Sequence, residues 1–243
     1  MSEQGMHLYG GHLRIKEAVR QLQSQITSAA NRAGRDPKSI KLIAVSKTKP
    51  PQSVYEACGE GILAFGENYA HELLEKKESE LLADIPGIEW HMIGHIQTNK
   101  VKALIGKTAL VHSLDSIRLA SSIQRHSEKA SLVTDALIEV NIAREESKHG
   151  FLPEEVHMAV EQISIFRNIR ILGLMCCAPF TKNPEDNRVY FDKLREIYID
   201  IGRKELDNVR MHFLSMGMSG DFEVAVEEGS TMLRIGTRLF GGR

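Results

Sequence analysis

Lys47 follows the apolar run Lys41–Val45, in the stretch AVSKTKP. A lysine just past the end of a buried strand can be partly desolvated. That lowers its pKa and frees the amine to attack a carbonyl and form a Schiff base. The alternative is a solvated loop lysine, the usual fate of this residue type. Two glycine-bearing segments near the C-terminal end weigh toward chemistry. Ser215-Met216-Gly217-Met218-Ser219-Gly220-Asp221 joins hydroxyl donors to glycines that let backbone N–H groups approach an oxyanion, and Gly236-Thr237-Arg238 repeats the combination. Asp221 is placed to cap a short helix over 221–228, closed by Gly229. Arg234 alternates with Leu233 and Ile235, so it points inward if they face outward. A buried arginine needs an acceptor, either a strand carboxylate such as Glu139 or an atom of a ligand.

Positions 47 and 215–238 work together only if the fold brings them to one place. Eight short apolar runs are strand candidates: 41–45, 63–65, 90–93, 110–112, 136–141, 169–175, 210–214 and 232–235. Helix-like segments lie between them, near 52–60, 68–83, 97–105, 116–130, 153–164, 186–204 and 221–228. Ahead of them, Ile15, Val19, Leu22, Ile26 and Ala29 recur at helical spacing over 12–33. Alternating strands and helices point to parallel βαβ units. Eight such units fit an α/β fold, a single (β/α)8 TIM barrel over residues 1–243 with an extra N-terminal helix. A doubly wound open sheet would carry a glycine-rich turn after its first strand, and SKTKPP has no glycine. In a barrel the site lies at the C-terminal ends of the strands, and phosphate is held by the loops after strands seven and eight. Those loops are the two glycine-bearing segments.

Bulk properties narrow the partners. The 243 residues carry 31 Lys+Arg against 32 Asp+Glu, a net charge of -1. That balance argues against nucleic acid, whose phosphates demand a cationic surplus. No apolar run approaches the ~20 residues of a membrane span, and the N-terminal residues lack the apolar core of a secretory signal. Cys58, Cys176 and Cys177 form no disulfide framework and no CxxC pair, which fits a reducing cytoplasm.

A Schiff-base lysine, a phosphate cradle and an inward arginine together suit pyridoxal 5′-phosphate, which carries an aldehyde, a phosphate and a pyridine nitrogen. The chain also resembles the pyridoxal phosphate homeostasis protein family, whose fold is similar to the barrel of bacterial alanine racemase. The matching stretches are AVSKTKP (44–50), FGENY (65–69), WHMIGHIQTNK (90–100), HSLDS (112–116), EVNIAREESKHG (139–150), GLM (173–175), LSMGMSGD (214–221) and GSTMLRIGTRLFG (229–241). The resemblance implies Lys47 as the lysine that holds the cofactor aldehyde and Arg234 as the residue facing the pyridine nitrogen. It implies Ser215, Gly217, Met218, Ser219, Gly236 and Thr237 as the phosphate cradle, with Asn68 near the ring. It further implies binding, buffering and delivery of the cofactor without catalytic turnover, with cofactor-dependent apo-enzymes as recipients. Racemases of this barrel type bring a base for the opposite face from a second, β-rich domain. This chain ends directly after the barrel, so that base is expected to be missing and a monomer is expected. Two alternatives stay open: a racemase-like enzyme on the same lysine, and a phosphosugar barrel enzyme whose Lys47 acts without cofactor.

Other groups carry less. His91 and His95 have the i, i+4 spacing of a metal pair, but Gly94 is a poor helix residue and a third ligand is missing from the stretch. Structural or pocket-lining histidines are expected, and no metal. Lys148, after strand five, offers a second amine at the same mouth, with a mobile loop lysine as the plainer expectation. Cys176 and Cys177 are expected to pack, one toward the mouth and one toward the helices.

Overall fold

Runs of apolar and β-branched residues that are buried on both faces are the raw material of a parallel barrel sheet. The computed structural model describes residues 3–242, with side chains from Arg14 onward. It has eight strands: β1 Lys41–Val45, β2 Ala64–Glu67, β3 Glu89–Met92, β4 Leu110–Leu114, β5 Thr134–Val140, β6 Ile169–Cys176, β7 Val209–Ser215 and β8 Met232–Ile235. Each pairs in parallel with its sequence neighbours, and β8 pairs with β1 to close the barrel. The expected (β/α)8 architecture is what forms.

Side-chain alternation divides the core in two. Ile43, Ala64, Leu110, Leu137, Leu172, Met175 and Met232 pack inside the barrel. Ala44, Phe65, Val111, Ile138, Leu174, Leu233 and Ile235 face the helices, in a much larger cluster. Arg234 is the register partner of Ile43, so it enters the barrel interior one layer above Met232.

The N-terminal helix spans Glu3–Arg32, beginning well before the 12–33 that periodicity marks. The stripe that periodicity marks is buried at Ile15, Val19, Leu22, Ile26 and Ala29. The helix lies against the short helices Phe222–Glu227 and Thr237–Phe240. Arg32 pairs with Glu227 at 2.8 Å and Glu223 at 3.1 Å, and just beyond the helix Arg35 donates to the Val226 carbonyl at 2.6 Å. The added helix therefore buttresses the two segments that carry the glycine loops.

Two helical expectations change in detail. The 68–83 segment is two helices, Ala70–Lys77 and Glu80–Ala83, because Ser79 closes onto the Lys76 carbonyl at 3.1 Å and restarts the chain. The 97–105 segment opens as a 3-10 turn over Thr98–Lys100 before the helix Val101–Leu104. Among the described residues no helix is long and apolar enough to cross a membrane.

Candidate functional site

The C-terminal ends of the strands surround a cavity of ≈ 440 Å³, within the range of small-molecule sites. Seven of the nine sequence-predicted residues line it: Lys47, Asn68, Met218, Ser219, Arg234, Gly236 and Thr237. Lys49 and Lys148 add two more cations, while Val45, Ile93 and Ala178 supply apolar wall. Four cationic side chains thus face the cavity. The wall carboxylate, Asp221, is already engaged: Oδ1 accepts the Met218 N–H at 2.7 Å and Oδ2 accepts from Asn187 Nδ2 at 2.8 Å. An anionic ligand suits this balance.

Asp221 corrects the expectation drawn from its place in sequence. It occupies the N-cap position of Phe222–Glu227 but makes no side-chain cap bond. Its carboxylate instead turns back to shape the loop after β7. Asn187 also donates to the Pro179 carbonyl at 3.0 Å, so one strut joins the loops after β6 and β7. Gly217 makes the turn at φ 91, and a Cβ there would lie 2.5 Å from the Ala225 Cβ. Only glycine fits both constraints. The N–H groups of Ser219, Gly220 and Thr237 have no partner among the described residues and are free to meet an oxyanion.

Ser215 and Gly217 are not in the cavity wall. Ser215 is the last residue of β7, fully buried, and its Oγ accepts from the Arg234 guanidinium at 2.6 Å. Arg234 also donates to the Cys176 carbonyl at 2.7 Å and approaches the Cys177 sulfur at 3.5 Å. Its hydrogen-bond partners are neutral, and Glu139 is not one of them. Cys176 packs on the helix side and Cys177 borders the cavity.

A polar chain beneath the site escaped sequence reasoning. His112 Nδ1 lies 3.0 Å from Ser215 Oγ, its Nε2 lies 2.9 Å from His91 Nδ1, and His91 Nε2 lies 3.4 Å from Glu89 Oε2. Burial holds both imidazoles in the neutral form, pushing His91 down to about 4 and His112 well below the usual range. Arg234 can only donate, so Ser215 Oγ accepts from it and keeps its own hydroxyl proton to offer to His112 Nδ1; His112 Nε2–H can then donate to His91 Nδ1. His91 Nε2 is buried and makes no hydrogen bond among the described residues. The arginine is thereby fixed in the barrel without a counter-charge. His91 and His95 do not meet: His95 leaves the barrel for the loop after β3.

The lysine loop has its own support. Ser46–Lys49 is a turn closed by Lys49 N–H to the Ser46 carbonyl at 3.0 Å, with Thr48 at φ 62. A β-branched residue is disfavoured in that left-handed region. Glu72 offsets this by accepting the Thr48 N–H at 2.7 Å, and buried Lys76 donates to the Ser46 carbonyl at 2.7 Å. Lys76 also pairs at 2.6 Å with Glu67, which accepts from Ser46 Oγ at 2.6 Å. Lys47 is half-buried at the head of this assembly.

Glu139 lies on β5, outside the cavity wall. Burial, and then the nearby charge of Asp115, push its carboxyl up to about 7 against the pull of Arg234 and Lys148. One oxygen, Oε2, is buried without a partner. Between the ordinary 4.5 and about 7 the folded chain holds a proton that the unfolded chain releases. Its stabilising contribution is therefore present at low pH and lost as pH rises through about 7. Glu139→Gln is expected to stabilise the ligand-free protein by up to about 3 kcal/mol at pH 8, and not at pH 4. Urea midpoints at the two pH values measure it; an equal effect at both would place the cost elsewhere.

The alanine racemase N-terminal domain model matches residues 18–243. The "Pyridoxal phosphate homeostasis protein" of Aquifex aeolicus is 47% identical over 227 residues, covering 93% of this chain and 97% of that protein. PipY of Synechococcus elongatus, solved without PLP, superposes with a TM-score of 0.83 at 32% identity, covering 93% of this chain and 100% of PipY. The same protein solved with PLP bound gives 0.81 at 31% identity, with the same coverage. Barrel, loop placement and end-to-end similarity agree: the chain belongs to the alanine racemase N-terminal domain family and, within it, to the pyridoxal phosphate homeostasis proteins.

Proposed function

We propose that the chain binds pyridoxal 5′-phosphate in the ≈ 440 Å³ cavity and keeps it in reserve for other proteins, without turning over a substrate of its own. The observation that carries this reading is the meeting, in one cavity, of a lysine amine, two loops of free amides and hydroxyls, and an arginine locked in the barrel. The donor set fits the cofactor group by group. Lys47 takes the aldehyde. Ser219 and Thr237, with the free amides of Ser219, Gly220 and Thr237, take the phosphate. Gly217 shapes that cradle, Met218 and Gly236 form its wall, and Ser215 serves it from below through Arg234. Asn68 borders the ring.

Bound there, the cofactor supplies an aldehyde for an amine and a pyridine ring that withdraws electrons when its nitrogen is protonated. Arg234 can donate a hydrogen bond to that nitrogen, but a guanidinium does not hand over its proton. The ring is then a weak electron sink, which favours holding over turnover. Curated relatives carry the name of a homeostasis protein rather than of an enzyme, and the described cysteines are unpaired thiols, which supports work in the cytoplasm.

Delivery is tested by mixing the loaded protein with a cofactor-dependent apo-enzyme while a phosphatase destroys free cofactor. Activity should appear in spite of the phosphatase; if the phosphatase suppresses it fully, direct hand-over fails. The phosphate end is tested separately. Thr237→Glu is expected to weaken binding of pyridoxal 5′-phosphate by at least about 100-fold, since a like charge about 4 Å away is worth a few kcal/mol at a protein surface. Binding of pyridoxal, which lacks the phosphate, should not change. Spectral titration with both compounds reads the difference, and equal losses for the two would mean a damaged fold.

A further inference from the structure

A cluster on the barrel rim remains outside the cavity wall. We propose that His95, Asp115 and His149 form a divalent-metal site of the zinc type. The three side chains come from the loops after β3, β4 and β5. His95 Nδ1 lies 2.5 Å from Asp115 Oδ2, and His149 Nδ1 lies 4.0 Å from the same oxygen. The three ligand atoms fall within 4.8 Å of one another. The two imidazole rings stack at 3.9 Å with a 12° interplanar angle, so both address one carboxylate from the same side.

This arrangement serves a cation better than it serves hydrogen bonding. One carboxylate oxygen is asked to accept from two stacked rings, and His149 is left beyond hydrogen-bond reach at 4.0 Å. An ion between the three atoms satisfies all of them. It displaces the proton shared by His95 and Asp115, which leaves to solvent. Two imidazoles and a carboxylate with an open fourth position form a recognised zinc ligand set, whereas Mg²⁺ and Ca²⁺ favour oxygen-only shells. Zinc bonds of roughly 2.0–2.2 Å require the 2.5 Å contact to open. The His95 and His149 side chains, 40% and 57% exposed, can swing by that amount, while the Asp115 side chain, 5% exposed, stays as anchor.

The backbones beneath these side chains are already fixed. Ser113 on β4 donates to the Gly94 carbonyl at 2.6 Å, and a Cβ at Gly94 would lie 2.4 Å from the Asn68 carbonyl oxygen, so the loop presenting His95 lies tight on its neighbours. On the other side, Asn141 exchanges hydrogen bonds with the Glu145 backbone at 2.9 and 3.0 Å, and Phe151 N–H meets the Glu139 carbonyl at 2.9 Å. These bonds close both ends of the loop that presents His149. A bound ion would tie that loop, which also carries Lys148, to the loops after β3 and β4. This inference stands independently of the function proposed above.

The test uses the full-length protein stripped of metal. Zn²⁺ is titrated against a chromophoric chelator of micromolar affinity. The wild type is expected to hold one equivalent, and Asp115→Asn and His149→Gln are each expected to weaken that equivalent by at least about tenfold. His149 is exposed, so its variant should fold as the wild type does; matching circular dichroism and metal-free Tm confirm it. Co²⁺ in place of Zn²⁺ should give tetrahedral visible bands without sulfur charge transfer. No retained equivalent, equal retention in the two variants, or a cysteine-to-cobalt band would each overturn the assignment.

Discussion

Lys47→Ala is expected to abolish covalent retention of pyridoxal phosphate completely, so the purified protein loses its yellow colour and borohydride traps no adduct. Three amines border the cavity, at Lys47, Lys49 and Lys148, and the structure separates their roles. Lys49 Nζ is occupied with the Gly242 carbonyl at 3.1 Å. Lys148 is exposed in the loop after β5. Lys47 is half-buried at a turn held from below by Glu67, Glu72 and Lys76, and its amine has no hydrogen-bond partner among the described residues. A free amine on a supported turn outcompetes one already engaged and one exposed to solvent, because more of its orientation is prepaid in the fold. Lys148→Ala should therefore keep colour and adduct. The phosphate cradle does not depend on Lys47, so the alanine variant should still bind the cofactor reversibly. Peptide mass mapping after reduction decides the matter. An adduct on Lys148 in the Lys47→Ala protein, at wild-type yield, would sink the assignment.

What could be read in the sequence follows a physical division. β1 and β8 appear at their observed limits because polar residues or glycine border short, mostly apolar runs. β4 and β7 run further than their apolar cores, through Ser113 and Ser215, because those hydroxyls are satisfied inside the protein. That extension explains Ser215. Counted as a loop residue it belongs to the cradle; as the last residue of β7 it sits a layer lower and holds Arg234. The His91–His112–Ser215 chain joins positions 21 and 103 residues apart, and no local pattern encodes such a pairing. Lys76 is different. It follows buried Leu73 by three residues on one helix, so a charged residue on the apolar stripe was a visible sign of a buried partner. The metal-ligand character of His95 was hidden for the opposite reason: its i, i+4 partner, His91, faces another way, and its neighbours Asp115 and His149 come from other loops.

Lys76→Met should be the most damaging change outside the cavity, lowering stability at neutral pH by about 3–5 kcal/mol, because removing one member of a buried pair strands the other. The Glu67 side chain is 0% exposed and that of Lys76 5%. Burial pushes the Glu67 carboxyl above its usual range, and Lys76 and Ser46 pull it back. Burial already outweighs that pull, and without Lys76 the upward push is larger still. The folded variant then keeps a proton on Glu67 at pH values where the unfolded chain, with an ordinary carboxyl near ~4.3, has released it. The loss is therefore smallest near pH 4 and grows as pH rises, which chemical denaturation across that range measures. Glu67→Gln/Lys76→Met removes the stranded charge, so it should regain most of the stability and flatten the pH dependence. Cofactor uptake should not recover in parallel. Neither change restores the Lys76 bond to the Ser46 carbonyl, and the turn with its left-handed Thr48 is then held only by Glu72 and by the Lys49 N–H bond that closes it. Stability and uptake thus separate in the double variant: the first reports the buried charge, the second the position of Lys47. If uptake returns with stability, the turn is held by something other than Lys76.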